Sequence, residues 1–207
     1  MDYRDRITSE AAALFMKYGV RAVTMDSIAH ELGMSKRTIY EHFSDKDTLL
    51  ENVIRTMAEK QKVVFREIME KSGNVIEAVF EILRVASSHF RTSSPTYLTE
   101  LKKYHYGVYE KLCQKSDIRN FEMSLMMLRR GVEEKIFRDD LNIDIVNSGI
   151  HAAIDITRDN QYLPDRQFSR TDIINDLLIN YLRGISTEKG RKLIDKYTNQ
   201  KNFEFNG

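Results

Sequence analysis

The stretch TMDSIAHELGMSKRTIYEHFSDKDTLL, running from Thr24 to Leu50, decides the fold. Behind Thr24, whose hydroxyl is placed to cap a helix, Ile28, Ala29 and Leu32 recur at helical spacing. Gly33 then offers the left-handed backbone that a tight turn demands. Ser35 caps a second short helix that carries Ile39 and Phe43 at i, i+4. Two helices of about two turns each, joined by Leu32-Gly33-Met34-Ser35, make a helix-turn-helix pattern. Ala29 is small enough to let the second helix cross closely. With Ile39 facing the core, Arg37 and Glu41 fall on the opposite face at about 100° per residue, flanked by Thr38 and Tyr40. A short polar face of this kind suits insertion into a DNA major groove.

Upstream, Ile7, Ala11, Leu14, Phe15 and Tyr18 form the apolar stripe of a first helix, closed by Gly19. Downstream, Ser44-Asp45-Lys46-Asp47 reads as a capping box that starts a long helix through Leu49, Val53, Ile54 and Met57. Asn74 and Glu77 cap a further helix bearing Val79, Ile82, Leu83 and Phe90, and Ser94-Pro95 opens the next, with Leu98, Leu101, His105, Val108 and Leu112 at helical spacing. Asp117 starts another through Phe121, Leu125, Leu128 and Val132. Ile143–Ile156, a polar loop at 159–167, Ile173–Ile185 and a tail helix near Leu193 complete the chain. No segment alternates as a half-buried strand does, so the expected fold is all-α with about nine helices. A three-helix helix-turn-helix domain over residues 1–47 is expected to join a larger helical domain over 48–207.

Composition supports this reading. The chain has 207 residues, with only 2 Pro and 9 Gly to interrupt long helices. Its 32 basic and 31 acidic residues give a net charge of +1, so no global field advertises an anionic partner. Residues 1–52 hold seven basic and nine acidic side chains, a balance of −2. Within a Debye length of about 8 Å, however, local sign outweighs the sum. The acids Asp2, Asp5, Glu10, Asp26 and Glu31 read as lying apart from Lys36, Arg37 and Lys46. The longest apolar run, Ala11–Met16, is too short for a membrane span, and a cytoplasmic location is expected. One cysteine, Cys113, excludes an internal disulfide. The chain lacks G-x-S-x-G, H-E-x-x-H, C-x-x-C and Gly-rich phosphate-loop motifs. The expectation is therefore no enzyme, no metal and no cofactor.

Phe15 through Gly19, Thr24, Ile28-Ala29, Leu32-Gly33-Met34-Ser35, Thr38-Ile39-Tyr40 and Tyr40-x-x-Phe43-x-x-Lys46 resemble the DNA-binding domain of TetR-family bacterial regulators. The resemblance covers about the first quarter of the chain. It implies a homodimeric repressor on a palindromic double-stranded operator, released by a small-molecule effector. It also implies that Lys36, Arg37 and Thr38, with Ser35 beside them, face base edges, while Thr24, Tyr40, His42 and Lys46 hold phosphates. Those residue types suit those tasks: arginine reads guanine with two hydrogen bonds, and hydroxyl and ammonium groups satisfy phosphate oxygens. Arg37 stands where the family often has a small residue.

Beyond that domain, His105 is a titratable group on an apolar stripe, which fits either a satisfied core histidine or the polar anchor of an effector pocket. Phe90, Tyr109, Phe121 and Met126 are candidate walls of that pocket. Two apolar faces are wide enough to serve a core and a partner at once. One carries Ile150 and Ile154, and the other Ile174, Leu178, Tyr181 and Leu182. Paired across a two-fold axis they make a four-helix dimer interface, the arrangement the resemblance also implies. Two other readings stay open at this stage: a helical enzyme, and a DNA-binding or interaction module without a ligand.

Overall fold

A computed structural model describes residues 2–92, 97–114, 121–158 and 173–199. Eleven helices lie among them, two more than expected. They are α1 (Tyr3–Tyr18), α2 (Met25–Leu32), α3 (Lys36–His42), α4 (Lys46–Lys71), α5 (Val75–Thr92), α6 (Tyr97–Tyr104), α7 (Tyr106–Tyr109), α8 (Phe121–Glu133), α9 (Ile143–Arg158), α10 (Asn180–Ile185) and α11 (Glu188–Thr198). A π-helical segment Glu110–Gln114 follows α7, and another, Ile174–Ile179, leads into α10. The expected starts at Ser94-Pro95 and Asp117 and the polar loop at 159–167 lie outside the described residues.

The expected helix across His105 is interrupted there. His105 takes φ −133°, ψ 47°, and α6 and α7 form on either side of it. Asp45, rather than Ser44, caps α4: its Oδ1 accepts the Thr48 N–H at 2.7 Å. Asn74 Oδ1 does the same for α5 through the Glu77 N–H at 3.0 Å. Tyr18, placed on the α1 stripe by spacing, is exposed.

The chain divides into two compact units, Met1–Val63 with Thr92–Arg119, and Val64–Arg91 with Asn120–Gly207. The division differs from a boundary after residue 47, because Leu49, Leu50 and Val53 of α4 are fully buried in the same cluster as Ile7, Phe15, Ile28 and Ile39. Leu101, Val108 and Leu112 belong to that cluster as well. Burying such a contiguous apolar set supplies the main drive for holding three short helices together.

In the second unit Val75, Ile76, Phe80, Leu128, Ile136, Phe137, Leu182 and Ile194 share a core. Its close contacts depend on small residues: a Cβ added at Gly131 would lie 2.0 Å from Phe137 Cδ2. Arg130 and Glu134 of α8 clamp the α4–α5 corner. The Arg130 guanidinium donates to the Met69 carbonyl and, at 2.8 Å, to that of Ser72, while Glu134 accepts the Val75 N–H at 2.8 Å. A cation therefore meets the carbonyl end of one helix, and an anion meets the amide end of the next.

Candidate nucleic-acid interface

The turn between α2 and α3 follows from its sequence. Thr24 and Ser27 form a reciprocal capping box: Thr24 Oγ1 accepts the Ser27 N–H at 3.0 Å, and Ser27 Oγ accepts the Thr24 N–H at 2.9 Å. Gly33 has φ 63°, and the next amide, that of Met34, donates to the Ala29 carbonyl at 2.9 Å, ending α2. Ser35 Oγ accepts the Thr38 N–H at 3.1 Å and starts α3. Ile39 and Phe43 are buried and fix the helix rotation, so Arg37, Tyr40 and Glu41 point outward.

The exposed face of α3 is charged and internally paired. Lys36 Nζ lies 2.7 Å from Asp26 of α2, which holds the lysine pKa above its usual value. The same ammonium sits 5.9 Å from the Tyr40 ring centroid. Arg37 Nε donates to Glu41 at 3.0 Å, with the arginine side chain 89% exposed. Asp26 and Glu41 thus touch the bases of this face, so the acids do not lie apart from it. In the free protein they offset the charge of Lys36 and Arg37 and hold each side chain by one contact.

Lys46 is turned inward more than its phosphate role implied. Its Nζ donates to the Val20 carbonyl at 2.6 Å, and burial pushes its pKa below the usual lysine value. An ammonium has three donors, so two remain for other acceptors. Thr38 and His42 are half-buried, and the His42 ring stacks on Tyr3 with centroids 6.0 Å apart. Two residues that sequence reading passed over also shape the site. Arg4 donates to the His42 carbonyl at 2.7 Å and lies 4.3 Å from the Phe43 ring centroid, and Arg6 donates to the Leu32 carbonyl at 3.4 Å. Each guanidinium meets the last carbonyl of a helix, a favourable place for positive charge. Their partners lie 38 and 26 residues away, so no local pattern announces them.

The remaining candidates are not gathered into one site. His105 Nδ1 lies 2.5 Å from Asp47 Oδ1, within the unit that contains α1–α3. It therefore serves as a polar clasp onto the first turn of α4, a satisfied histidine, which was one of the two readings its stripe allowed. Lys111 pairs with Glu51 of the same helix at 2.8 Å. Tyr109 is partly buried against the first core, 6.3 Å from the Tyr106 ring. Met126 is 49% exposed. Phe121 meets His151 with the rings tilted and their centroids 3.9 Å apart, beside a polar group that sequence reading did not single out: Ser124 Oγ lies 2.5 Å from the buried Asn147 and 2.8 Å from His151. Leu178 and Leu182 are already buried within one protomer, Leu178 against Leu83, Ala153 and Ile154. Tyr181 donates to the Val146 carbonyl at 3.0 Å, and Ile150 packs against the second core. The side chains of Phe90 and Ile174 lie outside the described residues. Among the described residues no three His, Cys, Asp or Glu gather as a metal site, and no helix is long and apolar enough to cross a membrane.

A capped helix pair with a glycine turn, a fixed rotation and an outward face of Arg37, Tyr40 and Lys36 defines a helix-turn-helix DNA-binding protein. Residues 7–53 match the bacterial regulatory proteins of the tetR family. The HTH-type transcriptional regulator YvaF of Bacillus subtilis is 29% identical over 186 residues, 89% of this chain and 96% of that protein. The transcriptional repressor KstR2 of Mycobacterium tuberculosis is 25% identical over 146 residues, 69% of this chain and 73% of that protein. A transcriptional regulator of Cytophaga hutchinsonii shares the fold with a TM-score of 0.68 at 22% identity, over 88% of this chain and 98% of its own. Residues 7–53 are thus a helix-turn-helix domain of the tetR type.

Proposed function

We propose that this regulator represses transcription by binding a near-palindromic operator as a homodimer and is released by a small-molecule effector. The rigid presentation of α3 carries the DNA part of this reading: Ile39 and Phe43 fix its rotation, and an 89% exposed Arg37 leads its outer face. In the complex, Lys36, Arg37 and Thr38 approach base edges near Ser35. Thr24, Tyr40 and His42 hold phosphates, and the two Lys46 donors not used by Val20 join them. Two heads on one dimer require half-sites about one helical turn apart or a multiple of that.

Dimerisation is assigned to α9 and to the π-helical segment Ile174–Ile179 with α10. Ile145, 70% exposed, and Leu177, 36% exposed, supply the apolar surface for a partner, with Ile150, Ile154 and Tyr181 behind it. The effector is assigned to residues 64–91 and 120–207, where Phe121 and Met126 lie on α8. His105 is left out because Asp47 engages it. Repression is supported by KstR2, a relative named as a repressor. Effector binding is supported by a solved regulator of Saccharomonospora viridis in complex with choline, which shares this fold at 21% identity with a TM-score of 0.65. That structure covers 89% of this chain and 98% of its own. An effector that prefers one dimer geometry and DNA that prefers another must weaken each other by the same factor. The test is a gel-shift titration of the full chain on promoter DNA, with and without compounds first found by thermal shift. Binding to no duplex would end the reading, and binding that no compound relieves would remove the effector.

A further inference from the structure

The ion pair on α3 has a geometry with consequences for how DNA is read. Arg37 makes one contact among the described residues, from Nε to Glu41 Oε1 at 3.0 Å, one helical turn on. Holding a guanidinium by its Nε leaves the edge carrying Nη1 and Nη2 free, and that edge makes the paired hydrogen bonds to guanine O6 and N7. Lys36, the neighbouring cation, is drawn back to Asp26 on α2. Arg37 is thus the more exposed of the two cations, its side chain 89% exposed against 58% for Lys36, and it is held by a partner on its own helix.

Resting on the DNA-binding reading above, we propose that Arg37 reads a guanine in each half-site and that Glu41 is its positioning residue. Glu41 orients the fork without touching the base. It also guards specificity by a second route. A carboxylate on the DNA-facing side repels phosphates, so the pair is tolerated at the surface only where guanine rewards Arg37. Substituting Glu41 therefore does two opposite things: it frees Arg37 to swing toward any phosphate, and it removes a repulsive charge. Binding to random DNA rises while the preference for guanine falls. A side chain that merely lends helix stability gives neither effect.

The experiment is selection of the full-length protein on a randomised duplex pool, followed by competition binding of the selected site against single-base variants. It compares the wild type with Arg37→Ala, Glu41→Ala and Glu41→Gln, each checked for native helicity by circular dichroism. The wild type should select one guanine per half-site, preferred about tenfold or more over other bases. Arg37→Ala should flatten that position alone. Glu41→Ala should weaken the same preference several-fold and strengthen binding to unselected DNA, whereas Glu41→Gln, which still accepts from Nε, should keep most of the preference. An unchanged guanine preference in Glu41→Ala overturns the positioning role. Loss of a cytosine preference at a different position does so too, since Glu41 would then read a base directly. Uniform loss across sequences in Arg37→Ala makes it a backbone contact and overturns the guanine assignment. A wild type that selects no DNA at all fails the underlying function instead, and this inference with it.

Discussion

Replacing Lys46 by methionine separates two roles that meet on one side chain. The ammonium donates to the Val20 carbonyl at 2.6 Å, joining the first turn of α4 to the segment after α1 across 26 residues, and Val20 itself is fully buried. The stem passes near Phe15, with Nζ 5.9 Å from that ring centroid. Methionine keeps most of the stem and removes the donor. A buried carbonyl stripped of its partner costs about 1–3 kcal/mol. Burial of the ammonium works against the lysine and trims that figure to about 1–2 kcal/mol at neutral pH. For a chain of this length each kcal/mol moves the melting temperature by about 2–4 °C. The full chain carrying Lys46→Met should therefore melt about 2–8 °C lower by circular dichroism. The pH dependence has a definite sign. The folded-state pKa lies below the unfolded value, so the unfolded chain binds more protons between the two, and the burial penalty fades as pH rises through that window. On DNA, loss of the remaining donors should lower the salt slope by about one ion. An unchanged melting temperature would show that the Val20 contact does not anchor α4 and would refute the reasoning.

Three further outcomes test other parts of the structure. Asp45→Ala should cost about 1 kcal/mol by removing the cap of α4, whereas Asp45→Asn should be nearly neutral at pH 7. The Thr48 N–H holds the Asp45 carboxyl below its usual pKa, so this stabilisation is full above the usual carboxylate value and is lost as pH falls toward the folded one; urea unfolding should show a flatter acid limb in both variants. Gly131→Ala drives a methyl into the Phe137 ring and should destabilise by about 1–3 kcal/mol, with partial recovery when Phe137→Leu is added, measured by the same unfolding curves. Leu178→Glu should unfold the protomer, since Leu178 is 8% exposed in a single chain, whereas Ile145→Glu and Leu177→Glu should give folded monomers by light scattering. A native dimer for both exposed variants would move the interface elsewhere.

How much of the fold the sequence reveals follows from the range of each interaction. Thr24, Gly33 and Ser35 are local signals: a cap reaches three residues and a left-handed turn needs one, so the helix-turn-helix pattern could be read directly. The inward direction of Ile39 and Phe43 followed from helical period alone. Lys46 to Val20, Arg4 to His42 and His105 to Asp47 span 26, 38 and 58 residues, and spacing carries no trace of such pairs. His105 reads as part of one continuous stripe because no proline or glycine stands between Leu98 and His105; the break shows only once its ring meets Asp47 and Leu101 and Val108 pack on either side. Width of an apolar face marks Ile173–Ile185 as a candidate for double use, yet Leu178 is buried on Leu83 and Ala153, contacts far away in sequence that no local spacing shows.

The central claim is that α3 recognises a specific DNA sequence, and salt-dependent binding to selected and scrambled duplexes tests it most directly. The account predicts that the full chain binds a selected near-palindrome at least about a thousandfold more tightly than scrambled DNA. A double substitution on the outer face of α3, Arg37→Ala with Tyr40→Ala, should abolish that ratio while leaving the melting temperature within about 1–2 °C, as expected of surface changes. Equal affinity of the wild-type chain for selected and scrambled duplexes, or a ratio that survives the double substitution, would contradict it.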